Sequence, residues 1–416
     1  MKGLASNAAR PIIRVWSNRN FALYMGGGAP SYITSWMQRV GVAWLAWELT
    51  HSTTWLGIVA AADLAPMIFI APFAGAITDR GHPFRQFTIT QVLLFAQALG
   101  LAILQLSGAM SIEWLVLLSL WSGLVYPFHQ TSRHSTVTRV LPREDLASGI
   151  AADSALFQAC RFVGPAIAGF VIALSGVGAT FFAHAVGSGL FCIALLFMHV
   201  EKRVIAPRTH GNLLTDVTDS FRYVRAHDGI WPLFLILAMA CVFLRPIQDM
   251  LPAFAGAIFH SDAVGLAWLT SAIGVGALVS AGWIAVRGHI RGLTWVTLIG
   301  FMLFSLSTLG FVATDRLWLG VIFSCVGGYA LNTMSTSVQT MTQAAVEDSM
   351  RGRVMGLYSL IWRGSPALGA LVGGVSADYF GVRETFAAAA VICFASWFVA
   401  APRRREIEAA IEHLHD

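Results

Sequence analysis

The chain has 416 residues, 56% of them hydrophobic and only 12% charged, where soluble domains carry about 25% charged residues. A formal net charge of +5 with a mean hydropathy of +0.67 excludes a soluble globular enzyme and a basic nucleic-acid-binding module. Most of such a chain is solvated by lipid.

A helix that crosses a bilayer needs about 20 mostly apolar residues. Breaking the sequence at charge clusters and Pro/Gly turns gives twelve such runs. In chain order they lie near 20–48, 53–77, 87–108, 112–136, 148–174, 178–199, 229–256, 264–286, 292–313, 317–342, 352–377 and 384–402. The predicted fold is therefore all-α and integral to the membrane. The longest interruption, "EKRVIAPRTHGNLLTDVTDSFRYVRAHDG", is basic and amphipathic. It divides the chain into a six-helix half at 1–199, a cytoplasmic linker at 200–228, a second six-helix half at 229–402 and a cytoplasmic tail at 403–416.

Lysine and arginine set the orientation, because cytoplasmic loops retain them. Twenty fall in the termini, the linker and the loops on one side, against Arg316 and Arg383 on the other. Both termini are accordingly expected on the cytoplasmic side of a bacterial inner membrane. The first apolar run is too long for a cleavable signal peptide.

Five cysteines (Cys160, Cys192, Cys241, Cys325 and Cys393) stand singly in apolar runs and read as small buried hydrophobes.

The chain also repeats itself. "GAITDRGH" (75–82) and "GWIAVRGH" (282–289) match at five positions at an offset of 207. An offset of 205 aligns Ser154 with Ser359, Gly164 with Gly369, Gly169 with Gly374, Gly176 with Gly381 and Phe181 with Phe386. Each block falls at the same span of its half. Duplicated six-helix halves are the build of secondary transporters, with a substrate site near the midplane.

"GAITDRGHPFRQ" resembles the loop signature of the major facilitator superfamily, keeping Gly75, Asp79, Arg80 and Arg85, with the second glycine one place early at Gly81. "RFVGPAIAG", with Gly164, Pro165 and Gly169, is similar to that superfamily's fifth-helix antiporter motif. "TSRHSTVTRVLPREDLASGIAADSALFQACRFVGPAIAG" and "RGRVMGLYSLIWRGSPALG" resemble its bacterial branch of siderophore exporters and macrolide efflux proteins. The resemblance implies two pseudo-symmetric six-helix halves, alternating access and a proton gradient, without cofactor, as energy source. In physical terms, Gly75 is expected to let two helices approach closely. Asp79 would sit by a helix N-terminus of the other half, worth about 0.3–1 kcal/mol, as a releasable latch. Val286 replaces Asp79 in the second copy.

Five arginines fall inside spans: Arg39, Arg133, Arg161, Arg245 and Arg363. Arginine at the bilayer centre costs about 2.5–3.5 kcal/mol on insertion scales, and such charges face the bundle interior with a partner. Arg39 lies twelve residues before the turn at His51 and Asp63 twelve after, which puts both at one depth. Arg133 and Asp153 are each ten residues from Arg143, near the cytoplasmic end. Arg245 and Asp249, spaced i, i+4, would share a helix face. Arg39 and Arg245 differ by 206 and occupy near-equivalent positions. Each pair can be a structural salt bridge or part of the transport cycle. Coupling to protons needs a group whose pKa responds to burial and to a moving charge, and the candidates are Asp63, Asp249 and Asp153. His184, alone in its span, reads as a hydrogen-bonded core residue.

Substrate-cavity candidates are Tyr32, Ser35, Gln38, Tyr126, His129, Gln130, Gln158, Gln248, Asn332, Gln339, Tyr358 and Arg363. Amides, phenols and cations on an aromatic background suit a large amphipathic or anionic aromatic molecule. Trp36, Trp44 and Trp47 read in part as an interfacial belt, the last two above all. No GxxxxGK[ST], HExxH or GxSxG motif and no Cys/His metal cluster occurs, so neither an enzyme nor a metal site is expected. The chain is read as a monomeric, proton-coupled exporter of a siderophore-like or drug-like small molecule, with the bilayer as its other partner and no nucleic acid. Alternatives are a lysophospholipid transporter and a non-transporting sensor or assembly partner on a carrier scaffold.

Overall fold

The computed structural model describes residues 14–200 and 213–412. Twelve long helical segments account for the twelve predicted spans. The first six are α1 (Arg19–Thr50), α2 (Thr53–Arg80), α3 (Pro83–Leu106), α4 (Ile112–Val140), α5 (Leu146–Ser175) and α6 (Gly178–Leu196). After an amphipathic linker helix, α7 (Leu213–Ala226), the seventh span starts as α8 (Ile230–Met239) and continues irregularly to Ile258. The remaining spans are α9 (Ala263–Arg287), α10 (Leu293–Ala313), α11 (Leu317–Ala345), α12 (Asp348–Phe380) and α13 (Val382–Ala400), and a short helix α14 (Arg404–Ile411) follows.

Nine helices among the described residues are long and apolar enough to cross a membrane. The three long helices outside that set are α1, α4 and α12, of 32, 29 and 33 residues. They are the helices that carry Gln38 and Arg39, His129 to Arg133, and Arg363. Length serves the membrane in these three, and polarity serves something else.

The chain forms two compact units, one of residues 1–45 and 69–210, the other of 46–68 and 211–416. The end of α1 and the outer part of α2 thus pack with the second unit, although they belong to the first half by sequence.

Within each unit the interior is built on close backbone approach, since lipid supplies no hydrophobic drive between helices and small residues let them meet. In the first unit a Cβ at Gly164 on α5 would lie 2.6 Å from Trp36 Cβ and 2.7 Å from the Ile33 carbonyl on α1. In the second unit the repeat-equivalent Gly369 on α12 abuts the Val242 carbonyl and Pro246 of the seventh span. The helix contacts repeat as well: α3 packs on α4 and α6 in the first unit, and α10 on α11 and α13 in the second. Gly176 and Gly381 close α5 and α12 with φ of 77° and 94°. The α1–α2 turn and the turn before α9 each hold a left-handed histidine, His51 (φ 49°) and His260 (φ 48°), both followed by serine.

Large apolar side chains stand exposed on the spans, among them Leu174 (85%) and Leu196 (74%), and in a membrane protein such residues are satisfied by acyl chains. Trp44, by contrast, is only 7% exposed. Trp47 packs with its indole nitrogen against Gly256. Both are packing residues here, which corrects their reading as an interfacial belt.

The outer part of α2 is bound to α12 inside the second unit. Asp378, one residue past the predicted eleventh span, accepts from Ser52 Oγ (2.6 Å), Thr53 Oγ1 (2.6 Å), Thr53 N–H (2.8 Å) and Thr54 N–H (3.1 Å). An acid on α12 therefore caps the first turn of α2, where free N–H groups favour negative charge. Partial burial alone would raise the Asp378 pKa, but the hydrogen bonds from Ser52, Thr53 and Thr54 outweigh it and hold the carboxyl well below its usual range. Gly57 and Gly374 bring the same two backbones together, on Ala370 and Thr53.

The tail also docks. Ile407 and Ile411 of α14 are buried in the second unit's core. Glu412 accepts from Thr294 N–H at 2.9 Å and from Gly292 N–H, at the start of α10.

Candidate functional site

The first unit holds a buried charge centre assembled from three helices. Arg133 on α4 donates from Nη2 to Asp153 Oδ2 on α5 at 2.7 Å, with side chains 7% and 4% exposed. Tyr24, on the first turns of α1, donates to Asp153 Oδ1 at 2.8 Å and accepts from Arg133 Nε at 3.1 Å. Its hydroxyl also lies 3.0 Å from that of Tyr32. The guanidinium sits over the rings of Tyr32 and Phe157, 4.8 and 4.7 Å from their centroids. Both charges are thus paired, hydrogen-bonded and stacked, as a buried ion pair must be to offset its desolvation. Sequence spacing brought Arg133 and Asp153 to one depth. It gave no sign of Tyr24, whose partners lie 109 and 129 residues away.

One to two turns along α1 and α5 the pattern repeats with tryptophan. Trp36 meets Phe157 edge-on at 6.1 Å. Arg39 and Arg161 both lie over the Trp36 ring, 5.8 and 5.6 Å from its centroid. Gln158 is exposed and Ser35 half-buried beside them in sequence, and Ser35 Oγ donates to the Tyr32 carbonyl at 2.8 Å.

A second buried polar set joins α1, α3, α4 and α6. Gln91 Nε2 donates to Ser188 Oγ at 2.7 Å. His184 Nδ1 lies 3.1 Å from Thr34 Oγ1, a hydrogen-bonded core histidine as its sequence context suggests. His129 is 6% exposed, stacked on Phe87 at 4.9 Å with Thr90 Oγ1 at 3.3 Å and Tyr126 at 6.3 Å. It belongs to the core of the unit, and Gln130 beside it is half-buried. Gln38 donates to Gln97 Oε1 on α3 at 3.1 Å. Gln38 and His129 thus tie α1 and α4 to α3.

In the second unit the seventh span departs from α geometry at its polar residues. Ala240–Leu244 forms a π-turn and Arg245–Gln248 a 3₁₀ turn around Pro246. Arg245 and Asp249 are therefore joined through a 3₁₀ turn and not through the regular α-helical turn that their spacing assumed. Arg245 stacks on Trp362 of α12 at 4.8 Å and donates to its carbonyl. Gln248 lines a small cavity with Ile247, Leu251, Ser307 and Ser324. Asn332 donates to the Ala277 carbonyl at 3.3 Å and to Ser280 at 3.2 Å, joining α11 to α9. Tyr358 is 5% exposed, donates to the Ser335 carbonyl at 3.1 Å and packs in the second unit's core cluster. Gln339 and Arg363 are half-buried.

Arg39 belongs to the first unit and the half-buried Asp63 to the second. Around the loop signature, the side chains of Asp79 and Arg80 lie outside the described residues, and Arg85 is exposed. A Cβ at Gly75 would meet none of the described atoms within 4 Å. Gly81 N–H closes α2 on the Ile77 carbonyl at 2.9 Å. Pro165 and Gly169 are buried within α5. Among the described residues no group of three acids, histidines or cysteines is placed to hold a metal.

These features match known proteins along nearly the whole chain. Residues 17–413 fit the family described as transmembrane secretion effector. The staphyloferrin A transporter of Staphylococcus aureus is 24% identical over 360 residues, 85% of this chain and 89% of that one. The multidrug efflux pump Tap of Mycobacterium tuberculosis is 25% identical over 392 residues, 89% of this chain and 90% of that one. The enterobactin exporter EntS of Escherichia coli is 25% identical over 337 residues, covering 79% of this chain and 78% of that one. In fold, the nucleoside transporter NupG superposes with a TM-score of 0.70 at 15% identity, covering 92% of this chain and 98% of that one. A bacterial homologue of the human lysosomal transporter Spinster does so with 0.71 at 14%, covering 93% and 98%. A duplicated twelve-helix membrane fold, the loop and fifth-helix motifs and a family match from end to end converge: the chain belongs to the transmembrane secretion effector family of the major facilitator superfamily.

Proposed function

We propose that this chain exports a siderophore-like or amphipathic drug-like organic molecule across a bacterial inner membrane in exchange for protons, by alternating access. The family match, the efflux pump Tap and the enterobactin exporter, each relative spanning more than three quarters of both chains, support export. The observation that carries a coupled mechanism is the charge set within the spans: Arg133 and Asp153 at 2.7 Å, with Arg39, Asp63, Arg161, Arg245, Asp249 and Arg363 on other helical turns. Charges that cost insertion energy are retained where a transport cycle uses them. In this reading Asp63, Asp249 and Asp153 are the proton-carrying candidates, the arginines set their proton affinity, and both termini face the cytoplasm. The protein acts as a monomer and needs no cofactor.

The test is purified protein in liposomes with an imposed pH gradient and an internal pH dye. Siderophores, macrolides and lysophospholipids are added one at a time. Proton movement that depends on a siderophore or macrolide is the expected result. Lipid movement without proton flux would move the function to leaflet transfer, and inertness to the whole panel would sink the export reading.

A further inference from the structure

We propose that the hydroxyls of Tyr32 and Tyr24 form the path by which protons reach and leave Asp153, and that the path reverses direction as the carboxylate changes charge. This rests on the proton-coupled reading above. Asp153 is 3% and Tyr24 1% exposed, so bulk water does not reach the carboxylate and a proton bound for it needs a carrier. The bonding leaves one arrangement for the ionised acid. A phenol has one proton to give, and its oxygen can also accept. Tyr24 gives its proton to Asp153 Oδ1 at 2.8 Å and accepts from Arg133 Nε at 3.1 Å. The 3.0 Å contact between the two hydroxyls is then Tyr32 donating to Tyr24. The chain runs from Tyr32 to Tyr24 to Asp153, each proton pointing at the next oxygen.

Delivery of a proton preserves the bonding. A hydronium ion gives its proton to the Tyr32 oxygen while Tyr32's own proton passes to Tyr24 and Tyr24's to Asp153 Oδ1. Three O–H bonds form, three break, and water leaves. Asp153 then donates to Tyr24 and Tyr24 to Tyr32, with Arg133 Nε still donating to Tyr24 and Nη2 to Oδ2. Tyr24 gives one hydrogen bond and accepts two in both states, so neither leaves its buried hydroxyl unpaired. Arg133 is also held when its anion is neutralised, because the guanidinium lies 4.8 and 4.7 Å from the ring centroids of Tyr32 and Phe157. The two tyrosines are eight residues apart on α1, about 12 Å along the axis. They meet because the Tyr32 ring lies back over Gly28, where a Cβ would stand 3.2 Å from Cε2 and 3.3 Å from Cζ. Beyond Tyr32, Ser35 and Trp36 are half-buried, which gives the chain its open end. Further titratable groups about the chain are Tyr126 and His129 on α4 and Cys160 on α5. From α3 and α6, Phe87 and Phe191 close on Tyr24.

The test is time-resolved infrared difference spectroscopy of the purified full-length protein after a rapid drop in pH. Asp153→Asn identifies the protonated-carboxyl band that belongs to Asp153. In wild type that band should grow in, and more slowly in heavy water, as transfer through hydroxyls requires. Tyr32→Phe keeps the ring under Arg133 and both partners of the carboxylate. Its band should reach the same size at least about tenfold more slowly, since positioned proton donors contribute about 10²–10⁴-fold. A purely structural role for Tyr32 would leave the rate unchanged. Thermal unfolding shows whether each variant is folded, and if Tyr32→Phe is not, the heavy-water measurement on wild type decides. Absence of an Asp153 band in wild type would overturn the path. So would a rate unaffected by heavy water, or a wild-type rate in folded Tyr32→Phe. Run beside this, liposome transport separates the two ideas. Proton-coupled transport together with any of those three results removes the path alone. An Asp153 band slowed by Tyr32→Phe, without transport of any panel member, removes the export reading and leaves the path standing.

Discussion

Arg133 and Asp153 show what a charge needs in order to reside in a span. Each is more than nine-tenths buried, and each is satisfied twice, once by the other and once by Tyr24. Arg133→Leu should therefore cost about 3–5 kcal/mol of stability, since it strands a buried carboxylate. The double variant Arg133→Leu with Asp153→Leu should cost less than the single one. Thermal unfolding in detergent checks this, and additive losses would mean the two side chains act independently. The spacing around Arg143 made the pair legible in the sequence. Tyr24 was not legible, because the phase of one helix does not reveal which distant helices it faces. Trp36 likewise reads as one tryptophan among several until Arg39 and Arg161 are seen on its ring.

At the scale of elements, glycines decide where helices meet. Gly164 and Gly369 are aligned by the sequence repeat, and each admits a neighbouring backbone in its own unit. Gly164→Val and Gly369→Val should each destabilise by about 1–3 kcal/mol through overpacking. Gly75→Ala, where a Cβ meets none of the described atoms within 4 Å, should be nearly neutral in the same unfolding assay. The α2–α12 contact makes a second prediction through Asp378. Its folded-state pKa is depressed, so its stabilising effect is complete above the ordinary carboxylate pKa of about 3.9 and is lost as pH falls below that value toward the folded one. Asp378→Asn should unfold at a lower temperature than wild type at neutral pH, and the difference should shrink below about pH 4. A difference that is constant with pH would show that the carboxylate charge is not what binds the helices. The acceptor that caps the first turn of α2 lies more than 320 residues away and was not legible in the sequence.

For the whole molecule the decisive quantity is coupling between substrate and proton. Asp63→Asn should abolish gradient-driven transport in liposomes while leaving substrate binding and exchange intact. Wild-type coupled transport by that variant would remove Asp63 from the mechanism. The same experiment on Asp153→Asn separates a coupling role from the structural one that its burial between Arg133 and Tyr24 supports.

The sequence by itself determined the number of spans, the duplication and the superfamily, because each of these is written as composition, charge asymmetry and repeated spacing along one dimension. It also ranked Arg133 with Asp153, since depth in a membrane follows from distance along the chain. Only the tertiary structure decided which faces met. It placed Tyr358 and His129 in cores, broke the α-helical frame at Arg245 and grouped 46–68 with the second unit. The physical reason is that helical phase fixes a side chain's direction relative to its own axis, whereas the rotation of each axis is set by packing against neighbours far away in sequence.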